Sequence, residues 1–337
     1  MSMKLGGLET LRREGVRLES PAAVPLRFVN GIGMHQVIDI ESDNRHLSRY
    51  RGFLVVTEEH TEIGRVPLDD ILAIIVHAHG ITYSNSLLVE LAKRGATVVL
   101  CAANHHPEAI LWPLQGHHAQ GARMRAQWEA PKPMLKQLWK QVVCTKIVMQ
   151  AAALTAYGHS DHALNRLAKT VKSGDPENIE AQAARRYWPL LMGKEFRRDR
   201  GEDGTNALLN YGYTVLRAAT ARAIIGAGLH PTIGLHHSNR SNAFALADDL
   251  MEPFRPLVDC AVKGLLTRGI AEVTPEAKQT LARLIAFDLD FGDTRTPLRV
   301  SLEKLTHSLA ISFEQGKPAL VLPKTPPPLE LAGLGCE

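Results

Sequence analysis

The sequence predicts an α+β protein, a small N-terminal β domain followed by a larger all-α domain, and three observations carry that prediction. Short runs rich in Val and Ile crowd residues 27–103. From residue 134 to 318 apolar residues recur three and four apart. Between the two lies a stretch richer in His, Gly, Pro and Gln that suits neither period.

Taken in order, "RFVNGI", "HQVIDI", "GFLVVTEE", "ILAIIVHAHGIT" and "ATVVLCA" read as strands separated by Gly, Asn, Asp and Pro. One helix interrupts them: "SNSLLVELAKRG" opens on a Ser cap, carries Leu87, Leu88 and Leu91 at helical spacing and closes at Gly95. Residues 104–133 are expected to be a linker, although "AILWPL" has the composition of one more strand. Beyond it, "MLKQLWKQVVCTKIVMQAAALTA", "ALNRLAKTVKSG", "NIEAQAARRYWPLLMG", "NALLNYGYTVLRAATARAIIGAG", "NAFALADDLMEPFRPLVDCAVKGLL" and "TPEAKQTLARLIAF" all read as helices bounded by Gly or Pro. Residues 1–26 form an N-terminal extension and 319–337, with "KTPPPLE", a Pro-rich tail.

Composition excludes several classes. With 45% hydrophobic and 22% charged residues, the 337-residue chain is neither collagen-like nor disordered. Aromatics at 5% argue against a broad stacking platform for bases, and a net charge of +4 does not by itself establish a nucleic-acid partner. Charge is unevenly spread, however: residues 185–200 carry six basic side chains against two acidic ones, and Lys132, Lys136, Lys140 and Lys146 recur with no acid between them. The simplest reading of either run is a solvated helix face. Cys101, Cys144, Cys260 and Cys336 are too far apart in sequence for a zinc ribbon or a redox dithiol. The first residues lack an apolar signal region and no stretch has the length of a membrane span, so a cytoplasmic protein without a membrane partner is expected.

The chemistry concentrates in "GLHHSNRSNAFALADDLMEPFRPLVD", residues 234–259. Asp249 and Glu252 are three apart and share a helical face, where two carboxylates repel unless a cation sits between them or water solvates both. Solvation is the commoner outcome. Pro253 breaks the helix just after Glu252, leaving that carboxylate at an irregular junction. His236 and His237 precede this helix, and imidazole with carboxylates suits manganese or magnesium at a phosphate-handling site better than a thiolate-closed zinc. Glu180, opening "NIEAQAARRYW", is the further carboxylate that would complete such a site, with Arg185 and Arg186 as a phosphate-binding pair; its default role is to complement the helix dipole.

Other histidines compete. "VHAHG" sets His77 and His79 on one face of an expected strand, as in metal-dependent amidohydrolases, which makes a small-molecule hydrolase a third reading. That barrel needs strands alternating with helices to its end, and the helical second half excludes it. His105, His106, His117 and His118 fall in the linker and are assigned to solvent or DNA contact. No phosphate loop, nucleophile elbow or dinucleotide fingerprint is present.

Three stretches in this order, "NIEAQAARRYWPLLMG", "NALLNYGYTVLRA" and the 234–259 run, resemble the successive signatures of the CRISPR-associated integrase family Cas1, in particular its type II branch. The resemblance runs from about Arg27 through the helical half. It implies that Glu180, His237 and Glu252 are catalytic residues that bind Mg2+ or Mn2+, with His236 the adjacent alternative, and that Asp249 helps from beside the site through a water. It also implies DNA contacts from Arg185, Arg186, Arg197, Arg198 and Arg240, a homodimer formed through the β domains, and a complex with Cas2. One departure is visible: Ala181 stands where the family commonly has Gly. The activity implied is strand-transferring integration of short foreign DNA into a CRISPR array, with endonuclease activity from the same site. A DNA-binding scaffold of the same fold without catalysis is the alternative.

Overall fold

A computed structural model describes residues 36–102, 107–114, 116–199, 201, 203–237, 242–290 and 295–323. The expected extension 1–26, the run "RFVNGI" and the Pro-rich part of the tail lie outside them. Within the described residues the chain is strand-rich as far as Leu111 and almost wholly helical beyond it.

The β region runs β1 (Gln36–Ile40), β2 (Arg45–Tyr50), β3 (Phe53–Glu58), β4 (Thr61–Pro67), β5 (Ile71–Val76), β6 (Thr82–Tyr83), helix α1 (Asn85–Lys93), β7 (Thr97–Cys101) and β8 (Pro107–Leu111). It builds two four-stranded sheets, one ordered β4-β3-β2-β6 and the other β1-β5-β7-β8. In the second, β1, β5 and β7 are parallel and β8 closes the edge antiparallel to β7. Every residue of β5 is buried, which accounts for the unbroken apolar run "ILAIIV". Ile74 and Val76 join a core with Leu47, Leu54 and Val56 of the other sheet and with Leu87 and Leu91 of α1. Leu72, Ala73 and Ile75 join the core of the helical region instead. This sheet is therefore a wall shared by both cores.

The helical region runs α2 (Gln120–Trp128), α3 (Lys132–Ala156), α4 (His162–Thr170), α5 (Ile179–Met192), α6 (Thr205–Gly226), α7 (Ala245–Met251), α8 (Arg255–Thr267), α9 (Pro275–Arg283), the short hairpin β9 (Asp288–Asp290) and β10 (Arg295–Pro297), and α10 (Leu298–Gln315). α6 is buried along most of its length. It approaches α8 so closely that a Cβ on Gly212 would stand 2.5 Å from Val258 Cγ1, a contact only glycine avoids. Among the described residues no helix is long and apolar enough to cross a membrane, and Cys101, Cys144 and Cys260 form no disulfide.

Four differences from the sequence expectations have physical causes. β2 and β4 are polar strands, "RHLSRY" and "TEIGRVP", specified by antiparallel pairing on either side of β3 rather than by composition. The segment 104–133, expected as a linker, holds β8 and α2, and α2 is tied down by Arg123, whose Nε donates to Glu314 Oε1 at 2.8 Å and whose Nη1 donates to Ala227 O at 2.9 Å. α10 lies beyond the expected helices, although Leu298, Leu302, Leu305 and Leu309 follow the helical period and are all buried. The "VHAHG" histidines are not a strand pair: β5 ends at Val76, His77 is buried with its Nε2 3.5 Å from Asp39 Oδ1, and His79 is exposed.

Candidate active site

Glu180 stands in the first turn of α5, and the preceding loop fixes it there. Asp175 accepts from Ile179 N at 2.8 Å and from Glu180 N at 3.0 Å, while Asn178 Oδ1 accepts from Ala181 N at 3.3 Å. These carboxylate and amide oxygens satisfy N–H groups that a helix start leaves unpaired. Asn178 holds a left-handed conformation, φ 51°, which an Asn adopts at small cost.

Glu252 begins a single 3₁₀ turn, Glu252–Phe254, between α7 and α8, the break that Pro253 imposes. The commoner expectation, that Asp249 and Glu252 are solvated, is incorrect: their exposures are 0% and 3%. Glu252 faces α3, where Lys146 lies with its Nζ 2.5 Å from Glu252 Oε2 and 2.5 Å from Glu180 Oε1. The ammonium thus bridges the two carboxylates, with a hydrogen bond to Glu180 and an equally close contact to Glu252. Arg255 Nε lies 3.2 Å from Glu252 Oε1. Burial opposes the Lys146 charge, but Glu252 and Glu180 outweigh it and its pKa is raised. Burial likewise pushes Glu252 up, and Arg255 and Lys146 outweigh it, so its pKa is lowered.

The histidine loop is pinned from both ends. Gln127 of α2 accepts from His230 N at 2.8 Å and donates to His230 O and Ile233 O, each at 2.9 Å. At the other end Asp249 Oδ2 accepts from Leu235 N at 2.6 Å and His236 N at 3.0 Å, and Asp249 Oδ1 pairs closely with His237 Nδ1. Gly234 permits this fold-back, because a Cβ there would stand 2.8 Å from both Asp249 Oδ2 and His237 O. The two histidines are thereby distinguished. His236 stacks on Trp139 of α3, centroids 4.5 Å apart at 3°, while His237 is gripped through Nδ1, which leaves Nε2 as its other ring nitrogen. The bond from Asp249 raises the His237 pKa against the opposing effect of burial.

Glu180 and Glu252 thus meet at Lys146, and His237 is held by Asp249. Asp249 holds the loop through Leu235 N and His236 N and the imidazole of His237. Among the described residues no three His, Cys, Asp or Glu side chains already stand together as a metal cluster. The donor set nonetheless suits a hard cation: two carboxylates from separate helices converge on one cationic atom.

Beneath the site, Asp259 accepts from Tyr187 OH at 2.9 Å and Tyr213 OH at 2.5 Å, and burial lifts its carboxyl to about 6. Arg185, Arg186 and Arg197 are exposed. Arg198 donates to Asn206 Oδ1 at 2.9 Å and Asn210 Oδ1 at 2.6 Å, and Arg240 lies outside the described residues. His105 and His106 also lie outside them, and His117 sits against Arg123, its Nε2 3.1 Å from Nη1.

Sequence reasoning missed Lys146, Asp175 and Gln127. Lys146 was legible in principle: it follows Trp139 by seven residues, two helical turns, and so shares its buried face, whereas Lys136 and Lys140 fall on other faces of the helix. Nothing local marks Asp175 or Gln127, whose partners are set by loop closure.

Residues 38–280 match the family described as CRISPR associated protein Cas1. The chain belongs to the Cas1 family. It is 36% identical over 266 residues to the "CRISPR-associated endonuclease Cas1" of Neisseria meningitidis serogroup C, covering 78% of this chain and 87% of that relative, a similarity that agrees with the type II branch. A Cas1 endonuclease of Pyrobaculum aerophilum is 30% identical over 289 residues, covering 81% and 97%. The Cas1 architecture of a β region followed by helices recurs in a CAS1 protein from Thermotoga maritima, TM-score 0.70 at 17% identity, covering 85% of this chain and 99% of that one. A casposase bound to its integration product superposes with TM-score 0.73 at 20% identity, covering 88% and 95%.

Proposed function

We propose that this Cas1 chain is a metal-dependent DNA integrase and endonuclease, which joins short foreign DNA fragments into a CRISPR array by attack of a DNA 3′-hydroxyl on a phosphodiester. The observation that carries the reading is the convergence of Glu180 and Glu252, from helices far apart in sequence, on one cationic point next to the pinned histidine loop. Glu180, His237 and Glu252 would hold Mg2+ or Mn2+. A divalent ion bound there supplies stabilisation of charge on the attacking and departing oxygens without a protein nucleophile. Asp249 orients the imidazole by occupying Nδ1, so that Nε2 is the nitrogen offered to a ligand. Arg255 keeps the buried Glu252 ionised.

Arg185 and Arg186, exposed on the helix that Glu180 opens, bind DNA phosphates together with Arg197, Arg198 and Arg240, making affinity steeply dependent on salt. A homodimer forms through the β domains, and a Cas2 dimer bridges two of them. The casposase likeness supports integration, and a solved Cas6-RT-Cas1–Cas2 complex, TM-score 0.68 at 16% identity, supports Cas2 as partner.

The alternative, a DNA-binding scaffold without catalysis, is favoured by one feature, the closed ion contact between Lys146 and both carboxylates. Strand transfer on a branched DNA that mimics a half-integrated intermediate separates the two. Transfer that needs Mn2+ or Mg2+ and disappears in Glu180→Ala and His237→Ala, with DNA binding retained, is expected. Transfer surviving both substitutions refutes the site; tight DNA binding without transfer, even with Cas2 present, establishes the scaffold.

A further inference from the structure

We propose that Lys146 is a displaceable counter-ion: its ammonium holds Glu180 and Glu252 together in the place of a divalent cation, and releases them when a DNA phosphate offers it a new partner. The inference rests on the metal-site reading above and goes further, because it makes cation binding and DNA binding one coupled event.

Charge balance is the first argument. Glu180 and Glu252 face Lys146 and Arg255, two carboxylates against two cations, in a site where Lys146 is 9% and Glu252 3% exposed. A divalent ion bound by the same two carboxylate oxygens would stand against the Lys146 ammonium, which already lies 2.5 Å from each, so the two cations compete for one place. One cation must leave. Arg255 is the poorer candidate, since its guanidinium carbon lies over the Tyr213 ring, 4.9 Å from the centroid, and its rigid planar fork is held by that stacking. Lys146 carries its charge on a flexible four-carbon stem and can swing.

The geometry of its contacts is the second. The ammonium stands 2.5 Å from Glu180 Oε1 and 2.5 Å from Glu252 Oε2, a single cation shared between two carboxylates from separate helices, which is the place a metal ion held by the same pair would take. The pocket also has an open side. The Glu180 side chain is 26% exposed against 4% for Glu252, so the ammonium has an exit past Glu180, the carboxylate it shares with the helix bearing Arg185 and Arg186. A phosphate held by those arginines would meet the departing ammonium.

The test is calorimetric titration of Mn2+ into the full chain, with and without a short DNA duplex at low salt, for wild type, Lys146→Met, Lys146→Arg and Glu180→Gln. Without DNA, Lys146→Met should bind Mn2+ at least about tenfold more tightly than wild type, because a competing charge has been removed. Its thermal midpoint in chelator should fall by about 5 °C and recover with Mn2+. DNA should tighten Mn2+ binding to wild type but not to Lys146→Met, the reciprocal signature of coupled sites. Lys146→Arg, which keeps the charge, should bind Mn2+ no more tightly than wild type.

The proposal is overturned if Lys146→Met binds Mn2+ no better than wild type, if Lys146→Arg gains affinity, or if Lys146→Met cannot be recovered folded even with Mn2+. Glu180→Gln separates the two levels of inference. Loss of Mn2+ binding there confirms the site against which Lys146 is tested, whereas unchanged binding refutes the metal-site reading itself.

Discussion

Asp249 bears on the site more heavily than its own sequence position suggests, and its removal has a calculable cost. It is fully buried, accepts from Leu235 N at 2.6 Å and His236 N at 3.0 Å, and pairs with His237 Nδ1; its 3.4 Å contact with His237 N is too long to count. A hydrogen bond to a charged group contributes about 1.5–3 kcal/mol net, so two backbone bonds are together worth at least about 3 kcal/mol. Asp249→Ala should therefore destabilise the protein by about 3 kcal/mol in urea unfolding. Asp249→Asn, which keeps an acceptor but loses the charge, should cost about half of that. The imidazole reports the same change. Because its bond to Asp249 raises the His237 pKa, protonated His237 contributes stability that is full below the ordinary histidine value of 6.5 and is lost as pH rises through the folded value. In Asp249→Asn that loss should move to lower pH, read from the His237 ring resonances in an NMR titration. Asp249→Ala within about 0.5 kcal/mol of wild type, or an unmoved His237 titration, would refute the claim that this carboxylate builds the loop.

Three other outcomes are expected. Gly234→Ala places a Cβ 2.8 Å from Asp249 Oδ2 and His237 O, so the loop must shift; stability should fall by about 1–2 kcal/mol while strand transfer falls by about 100-fold, seen by comparing melting with rates on branched DNA. Glu252→Gln leaves Lys146 and Arg255 short of a buried partner and should cost about 3 kcal/mol, against about 1 kcal/mol for the more open Glu180→Gln, measured by denaturation in chelator. Burial lifts the Asp39 carboxyl to about 7, so the stability its protonated form contributes is full below pH 3.8 and is lost as pH rises to about 7; Asp39→Asn should flatten the decline in urea midpoint between about pH 4 and 7.

The sequence alone determined whatever follows from periodicity and from local punctuation. The change from strand to helix period, the Ser84 cap of α1, the break at Pro253 and the helix opened by Glu180 are all fixed by neighbouring residues, and the structure keeps them. The order of three motifs was likewise enough to indicate the Cas1 family. Only the tertiary structure decided which charges are buried and whom they meet. Lys146 looks like one more member of a solvated lysine run until α3 packs against the turn at Glu252, and Asp249 looks like half of a solvated pair until the histidine loop folds back onto it. β2 and β4 likewise become strands through pairing with β3. The physical reason is common to all of them: periodicity is set by residues three or four apart, whereas the burial and partner of a charge depend on elements that the chain brings together from 34 or 106 positions away, as Lys146 meets Glu180 and Gln127 meets Ile233.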